Sequence, residues 1–160
     1  MPIQKLRQFL DENQVKYIVI THSKAYTSQG VAASAHISGN ELAKTVMLKQ
    51  DGELCMAVLP ASRQVDLAKF AKCTNSRDAS LASEREFKDR FPDCEVGAMP
   101  PFGNLYGLRV FVDTSLTRDK EIAFNAGSHL ELIQLAYSDF ERLVEPTSAD
   151  FATRSSSRAA

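Results

Sequence analysis

The stretch Lys44-Thr45-Val46-Met47-Leu48-Lys49-Gln50-Asp51-Gly52-Glu53-Leu54-Cys55-Met56-Ala57-Val58-Leu59 decides the fold class. Two apolar runs, Lys44–Lys49 and Leu54–Leu59, flank a turn centred on Asp51-Gly52. Asp-Gly is a favoured pair for the type I′ turn, which needs positive φ at both central residues and whose twist suits the strands it joins. An antiparallel hairpin therefore stands at the centre, and the rest of the chain must pack against it.

Working outward toward the start, Ile3, Leu6, Phe9 and Leu10 recur at helical spacing and predict an amphipathic helix that stops near Asn13. Tyr17–Thr21 is β-branched and aromatic, so a strand is expected there. Thr27 can cap a second helix running to about Ala35, with Val31 and Ala35 inward. Beyond the hairpin, Asp66 can cap a helix that buries Leu67, Phe70 and Ala71. Ser83 with Glu86 forms a capping box opening a helix that ends before Pro92. A Gly/Pro-rich loop, Gly97–Gly103, follows, and Leu108–Val112, Glu121–Asn125 and Leu130–Ala136 then read as strands. Ser138 with Glu141 makes a further capping box for a last helix, which Pro146 ends. Residues 1–146 are thus expected to form one domain, and 147–160, with its serine run, a mobile tail. About six strands interleaved irregularly with short flanking helices imply an α+β fold with a mixed, mostly antiparallel sheet.

Composition limits what such a domain can do. At 160 residues, with 44% hydrophobic and 24% charged residues, the chain is long enough for one sizeable core and too apolar for a disordered one. Charged residues among the first thirteen argue against a signal peptide, and no stretch is long and apolar enough for a membrane span. Cys55, Cys73 and Cys94 are odd in number and lack CxxC spacing, so a reduced, cytoplasmic protein without a structural metal is expected. With a net charge of −1, a chain that handles nucleic acid must grip a small part of it or depend on a partner, because phosphate neutralisation supplies most non-specific affinity. There is no GxGxxG, Walker A, GxSxG or HExxH pattern.

Three places could carry chemistry. Lys44 shares a strand face with Val46 and Leu48, while Thr45 and Met47 face the other way. A lysine so placed either snorkels to the edge or is kept for an anionic ligand. In Gly97-Ala98-Met99-Pro100-Pro101-Phe102-Gly103-Asn104, glycine allows close backbone approach and the prolines stiffen the loop, so it is either a plain connector or a cradle for a carbonyl or oxyanion. Gly127-Ser128-His129 lies between two strands, where a histidine is structural or catalytic.

In order along the chain, Leu42-Ala43-Lys44-Thr45-Val46, Val58-Leu59-Pro60-Ala61, Val65-Asp66, the Gly97-x-x-x-Pro101 loop ending in Gly103, Val112-Asp113, Asn125-x-Gly127 and Asp139-Phe140 resemble the YbaK and prolyl-tRNA synthetase insertion-domain family. The resemblance runs over about residues 15 to 145. It implies a YbaK-like fold and a free-standing deacylase that removes a wrong amino acid from tRNA, typically tRNA-Pro. It implies a catalytic set of Lys44, Gly97 and Pro101, with Lys44 on the terminal adenosine and phosphate and the loop backbone near the ester. It places Gly127 and His129 at the aminoacyl pocket, and Thr45, Met47, Phe102, Gly103 and Ser128 complete the expected substrate-binding set. Ala98 stands where many members have a second glycine. No cofactor or metal is expected, and the tRNA's own 2′-hydroxyl is implied to assist the attacking water.

An aminoacyl ester is already activated, so a positioned water and N–H donors for the oxyanion suffice. One rival is a cysteine hydrolase pairing Cys55, Cys73 or Cys94 with His22, His36 or His129. Another is an inactive tRNA- or synthetase-binding regulatory module of the same fold. The partners expected are the aminoacyl-tRNA acceptor end and a synthetase or elongation factor, with no membrane and no DNA.

Overall fold

The computed structural model describes residues 3–21 and 41–154. The central hairpin forms in the expected register: β2 (Leu42–Gln50) pairs antiparallel with β3 (Glu53–Pro60), Lys44 opposite Leu59 and Gln50 opposite Glu53. Asp51 and Gly52 take φ of +51° and +87°, the left-handed pair a type I′ turn requires. β1 (Tyr17–Thr21) pairs antiparallel with β8 (Glu131–Ala136), and β8 with β7 (Glu121–Asn125). β7 runs parallel to β2, and β6 (Val110–Asp113) runs parallel to β3. The main sheet has the order β1-β8-β7-β2-β3-β6-β9, where β9 is Thr147–Ala149, with β5 (Ala79–Leu81) also on β2, and a second ribbon joins β4 (Arg63–Val65) to β10 (Ala152–Arg154). The sheet is therefore mixed and mostly antiparallel, as expected, with more strands than six.

Helices cover both faces. α1 (Gln4–Glu12) and the last helix, α4 (Tyr137–Val144), bury Leu6, Leu10 and Phe140 against one face. Phe102 sits at the centre of that core, its ring 5.5 Å from Phe124 and 5.7 Å from Phe140. On the other face α2 (Leu67–Cys73) is capped by Asp66, whose carboxylate accepts the Lys69 N–H at 3.1 Å. It inserts Phe70 edge-on to Phe111 and Phe151. The Ser83–Glu86 capping box is present at α3 (Glu84–Phe87), which is a single turn continued by a 3₁₀ turn, Lys88–Arg90.

Three expectations change. The Ser138–Glu141 box does not form: α4 starts directly from β8 with Ala136 as N-cap, because buried Tyr137 is drawn in and its N–H donates to the Lys120 carbonyl. The strand expected at Leu108–Val112 is shifted to Val110–Asp113, since Gly107, at φ +69°, first closes a 3₁₀ turn over Gly103–Tyr106. The expected tail is structured through Arg154. β9 (Thr147–Ala149) adds to β6, and buried Asp113 accepts the Phe151 and Ala152 N–H groups at 2.9 and 2.8 Å. The domain thus extends past residue 146, because a carboxylate on β6 supplies the acceptors that a short polar segment could not find locally. The helix expected over Thr27–Ala35 lies outside the described residues, as do His22, His36 and residues 155–160.

Candidate active site

The sheet divides along one edge of β2. Leu42 and Ala43 pair with Ala123 and Phe124 of β7, whereas Leu48–Gln50 pair with β5. Among the described residues, Lys44, Thr45 and Val46 have no strand on that edge; only at Met47 does a carbonyl accept, from the Ala82 N–H. β7 ends at Asn125, the residue after Phe124, which the parallel register sets beside Lys44.

Burial assigns the faces. Ala43 and Met47 belong to the Phe102 core, while Val46 and Leu48 pack with Phe70 on the other side. Lys44 follows Val46 and Leu48, as the alternation predicts. It is half-buried and makes no ion pair among the described residues. Desolvation holds its ammonium below the usual lysine range. Asn125 lies on the same side as Lys44, since Ala123 shares the Leu42 cluster, and its Oδ1 is buried without a hydrogen-bond partner among the described residues.

The two loops expected near the site are joined to each other. The Glu95 N–H donates to the Gly127 carbonyl at 2.8 Å, and the Gly127 N–H to the Ala98 carbonyl at 2.9 Å. The Glu95 carboxylate accepts the His129 N–H at 2.6 Å, and His129 Nε2 lies 2.9 Å from the Val96 carbonyl. A carbonyl only accepts, so Nε2 carries the proton. Both glycines are left-handed, Gly97 at φ +87° and Gly127 at φ +97°. A Cβ on Gly127 would stand 2.4 Å from Ile3 Cγ2, so α1 leaves room for glycine only.

The expected site residues fall into two groups. Gly97 is exposed, Ser128 is half-buried with its hydroxyl accepting the Leu130 N–H, and buried Gly127 and His129 adjoin them through the hydrogen bonds above. Among the described residues Gly97 donates its N–H only to the Met99 thioether, at 3.3 Å, a weak acceptor. Pro100 and Pro101 are buried and supply no donor, so they brace the loop. Met47 and Phe102 are core residues, 4% and 0% exposed, and Thr45 is half-buried on their side of β2. Gly103 is buried under Val110, whose Cγ2 would lie 2.7 Å from an added Cβ. The structure therefore makes Met47, Phe102 and Gly103 supports beneath the loop rather than walls open to a substrate. An aromatic in a loop reads as available until its packing is known. Sequence reasoning left out Asn125 and Glu95, although Asn125-x-Gly127 was visible as a motif.

The rival thiols are poorly placed for nucleophilic work. Burial pushes the Cys55 thiol up to about 11 and the Cys94 thiol up to about 12. Cys73 is exposed and contacts the Asp150 carbonyl at 3.1 Å. Among the described residues no group of three His, Cys, Asp or Glu side chains could hold a metal, and no helix is long and apolar enough to cross a membrane.

Comparison with known proteins identifies the family. The family model of the aminoacyl-tRNA editing domain matches residues 22–143. The multifunctional Ser/Thr-tRNA deacylase ProXp-y of Escherichia coli strain K12 is 31% identical over 153 residues, covering 92% of this chain and 91% of the relative. The protein of the same name from Escherichia coli O157:H7 matches equally. Among solved structures, the hypothetical protein APE2540 superposes with a TM-score of 0.83 at 17% identity, covering 94% of this chain and all of the other. A proposed trans-editing enzyme for prolyl tRNA synthetase superposes with 0.79 at 16%, covering 94% of this chain and 96% of its own. These two likenesses establish the shared fold, and the sequence matches establish more: the chain belongs to the aminoacyl-tRNA editing domain family, the hydrolases that deacylate wrongly charged tRNA.

Proposed function

We propose that the chain edits in trans, hydrolysing the ester between a small, wrongly attached amino acid and the acceptor end of tRNA, with tRNA-Pro the favoured carrier. The observation that carries the reading is Lys44: a half-buried cation without an ion pair among the described residues, where β2 has no neighbouring strand. A desolvated ammonium in such a place is best matched by a phosphate ligand. In this reading Lys44 holds the 3′-terminal nucleotide, and water, assisted by the vicinal 2′-hydroxyl, adds to the ester carbonyl. The Gly97 N–H, bound among the described residues only to a thioether, turns to the developing oxyanion. Collapse of the tetrahedral intermediate breaks the ester C–O bond and releases the tRNA hydroxyl and the free amino acid. The buried Asn125 Oδ1 is a ready acceptor for the α-ammonium of the aminoacyl group. A synthetase or elongation factor would hand over the charged tRNA, in the cytoplasm.

The sequence alone ranks alanyl esters first, with seryl and cysteinyl next, because a synthetase pocket excludes a smaller side chain by only about 1–3 kcal/mol per methylene. The relative named for seryl and threonyl esters moves those two to the head of the ranking. A deacylation panel of alanyl-, cysteinyl-, seryl-, threonyl- and prolyl-tRNA tests the reading. Turnover of the small esters with prolyl-tRNA spared is expected. Fast hydrolysis of correctly charged prolyl-tRNA would defeat the size sieve, and no turnover of any ester would favour the inactive binding module.

A further inference from the structure

Gly97–Pro101 and Gly127–His129 belong to segments about thirty residues apart, and neither loop has regular secondary structure to hold it. Each contains a left-handed glycine, Gly97 facing His129 and Gly127 facing Ile3, which gives close approach but no stiffness. The rigidity has to come from the contacts between them.

Among the described residues, hydrogen bonds at four places supply those contacts, and Glu95 makes two of them. Its N–H reaches the Gly127 carbonyl at 2.8 Å, and its carboxylate takes the His129 N–H at 2.6 Å. The other two, Gly127 N–H to Ala98 carbonyl and His129 ring to Val96 carbonyl, lie within three residues of Glu95. The bond to the carboxylate is the one a side-chain substitution can remove. The N–H it satisfies belongs to a residue only 6% exposed, so losing the acceptor leaves a buried donor unpaired at that bond. Glu95 itself is exposed, so its side chain is not required for burial.

We infer that Glu95 is a positioning residue for deacylation, its carboxylate fixing the Gly97 loop against Gly127–His129 so that donor and pocket floor meet the ester in one geometry. This rests on the editing reading above. What the carboxylate contributes is acceptor geometry, so an amide in its place should serve nearly as well. Losing the acceptor lets the loops drift apart, and displacement of about 1 Å lowers turnover by roughly a hundredfold in well-oriented sites. Binding of the acceptor end through Lys44 does not pass through Glu95.

The test compares Glu95→Ala and Glu95→Gln in steady-state hydrolysis of seryl-tRNA, with amide hydrogen exchange at His129 and Gly127 measured by NMR. Glu95→Ala is expected to lower kcat at least about tenfold with KM within about twofold, and Glu95→Gln to stay within about threefold of wild type. Exchange at the His129 amide should quicken in Glu95→Ala and not in Glu95→Gln. Wild-type kcat in Glu95→Ala, a change confined to KM, or equal damage from both variants would overturn the inference. If the wild type hydrolyses no aminoacyl ester, the editing reading fails instead, and the exchange rates alone judge whether Glu95 joins the two loops.

Discussion

At Lys44 an ammonium sits on a strand face otherwise built from Val46 and Leu48, and desolvation alone lowers its pKa. A fold selected only for stability would place an apolar residue there. Lys44→Ala should therefore lower deacylation at least about tenfold, roughly 1.4 kcal/mol of transition-state stabilisation, with the fold intact; wild-type turnover in a folded variant would remove Lys44 from the site. The same burial has a pH signature. Because the folded pKa lies below 10.5, the unfolded chain binds more protons between the two values, so stability rises with pH across that alkaline window. Lys44→Met should lose this rise and be no less stable than wild type at neutral pH, as urea midpoints measured against pH would reveal. The cysteines point the other way. With Cys55 and Cys94 pushed up to about 11 and about 12 by burial, neither is a thiolate at neutral pH. A triple Cys→Ala variant, and wild type in EDTA, should keep their activity, and loss in either would revive a thiol or metal mechanism.

At the scale of elements, the weakest regular structure is the end of the chain. β9 and β10 are three residues each, too short to hold by their own ladders. Asp113 compensates. Its carboxylate accepts N–H groups from Phe151, Ala152 and Ser115 and the Ser115 hydroxyl. Desolvation works to raise its pKa, yet these hydrogen bonds outweigh it and hold the carboxyl below the usual range. That stability is present above the ordinary carboxylate pKa and is lost as pH falls through the folded value, so the acid limb of the stability curve lies below about pH 4. Asp113→Ala should cost about 3 kcal/mol and flatten that limb, because several donors lose their acceptor at once. Hydrogen exchange should show Phe151 and Ala152 losing protection while the β2–β3 hairpin keeps its own; a melting midpoint within a degree of wild type would refute the role of Asp113.

For the whole molecule the decisive quantity is its net charge of −1. Each phosphate neutralised contributes about −0.9 to the slope of log affinity against log salt. A nearly neutral protein gripping only the acceptor end should make few such contacts, on the order of two or three, and bind intact tRNA with a correspondingly shallow slope. Titrations between low and physiological salt measure it directly. A slope matching six or more contacts would mean that the protein holds the tRNA body as well, and the charge argument would fail.

By itself the sequence determined the pieces whose causes lie within a few residues. The β2–β3 register follows from alternation and the Asp51-Gly52 turn, the start of α2 from the Asp66 cap, the edges of β1 from its β-branched run, and the side on which Lys44 lies from the pleat. Only the tertiary structure decided what depends on distant partners. Phe102 and Met47 become core because α1, α4 and β7 close over them. Residues 147–154 become strands because Asp113, 38 positions before Phe151, offers them acceptors. Glu95 meets His129 across 34 positions. Periodicity and turn chemistry are local free energies written residue by residue, whereas a long-range hydrogen bond exists only after the intervening chain has folded and met the entropy of closing that loop.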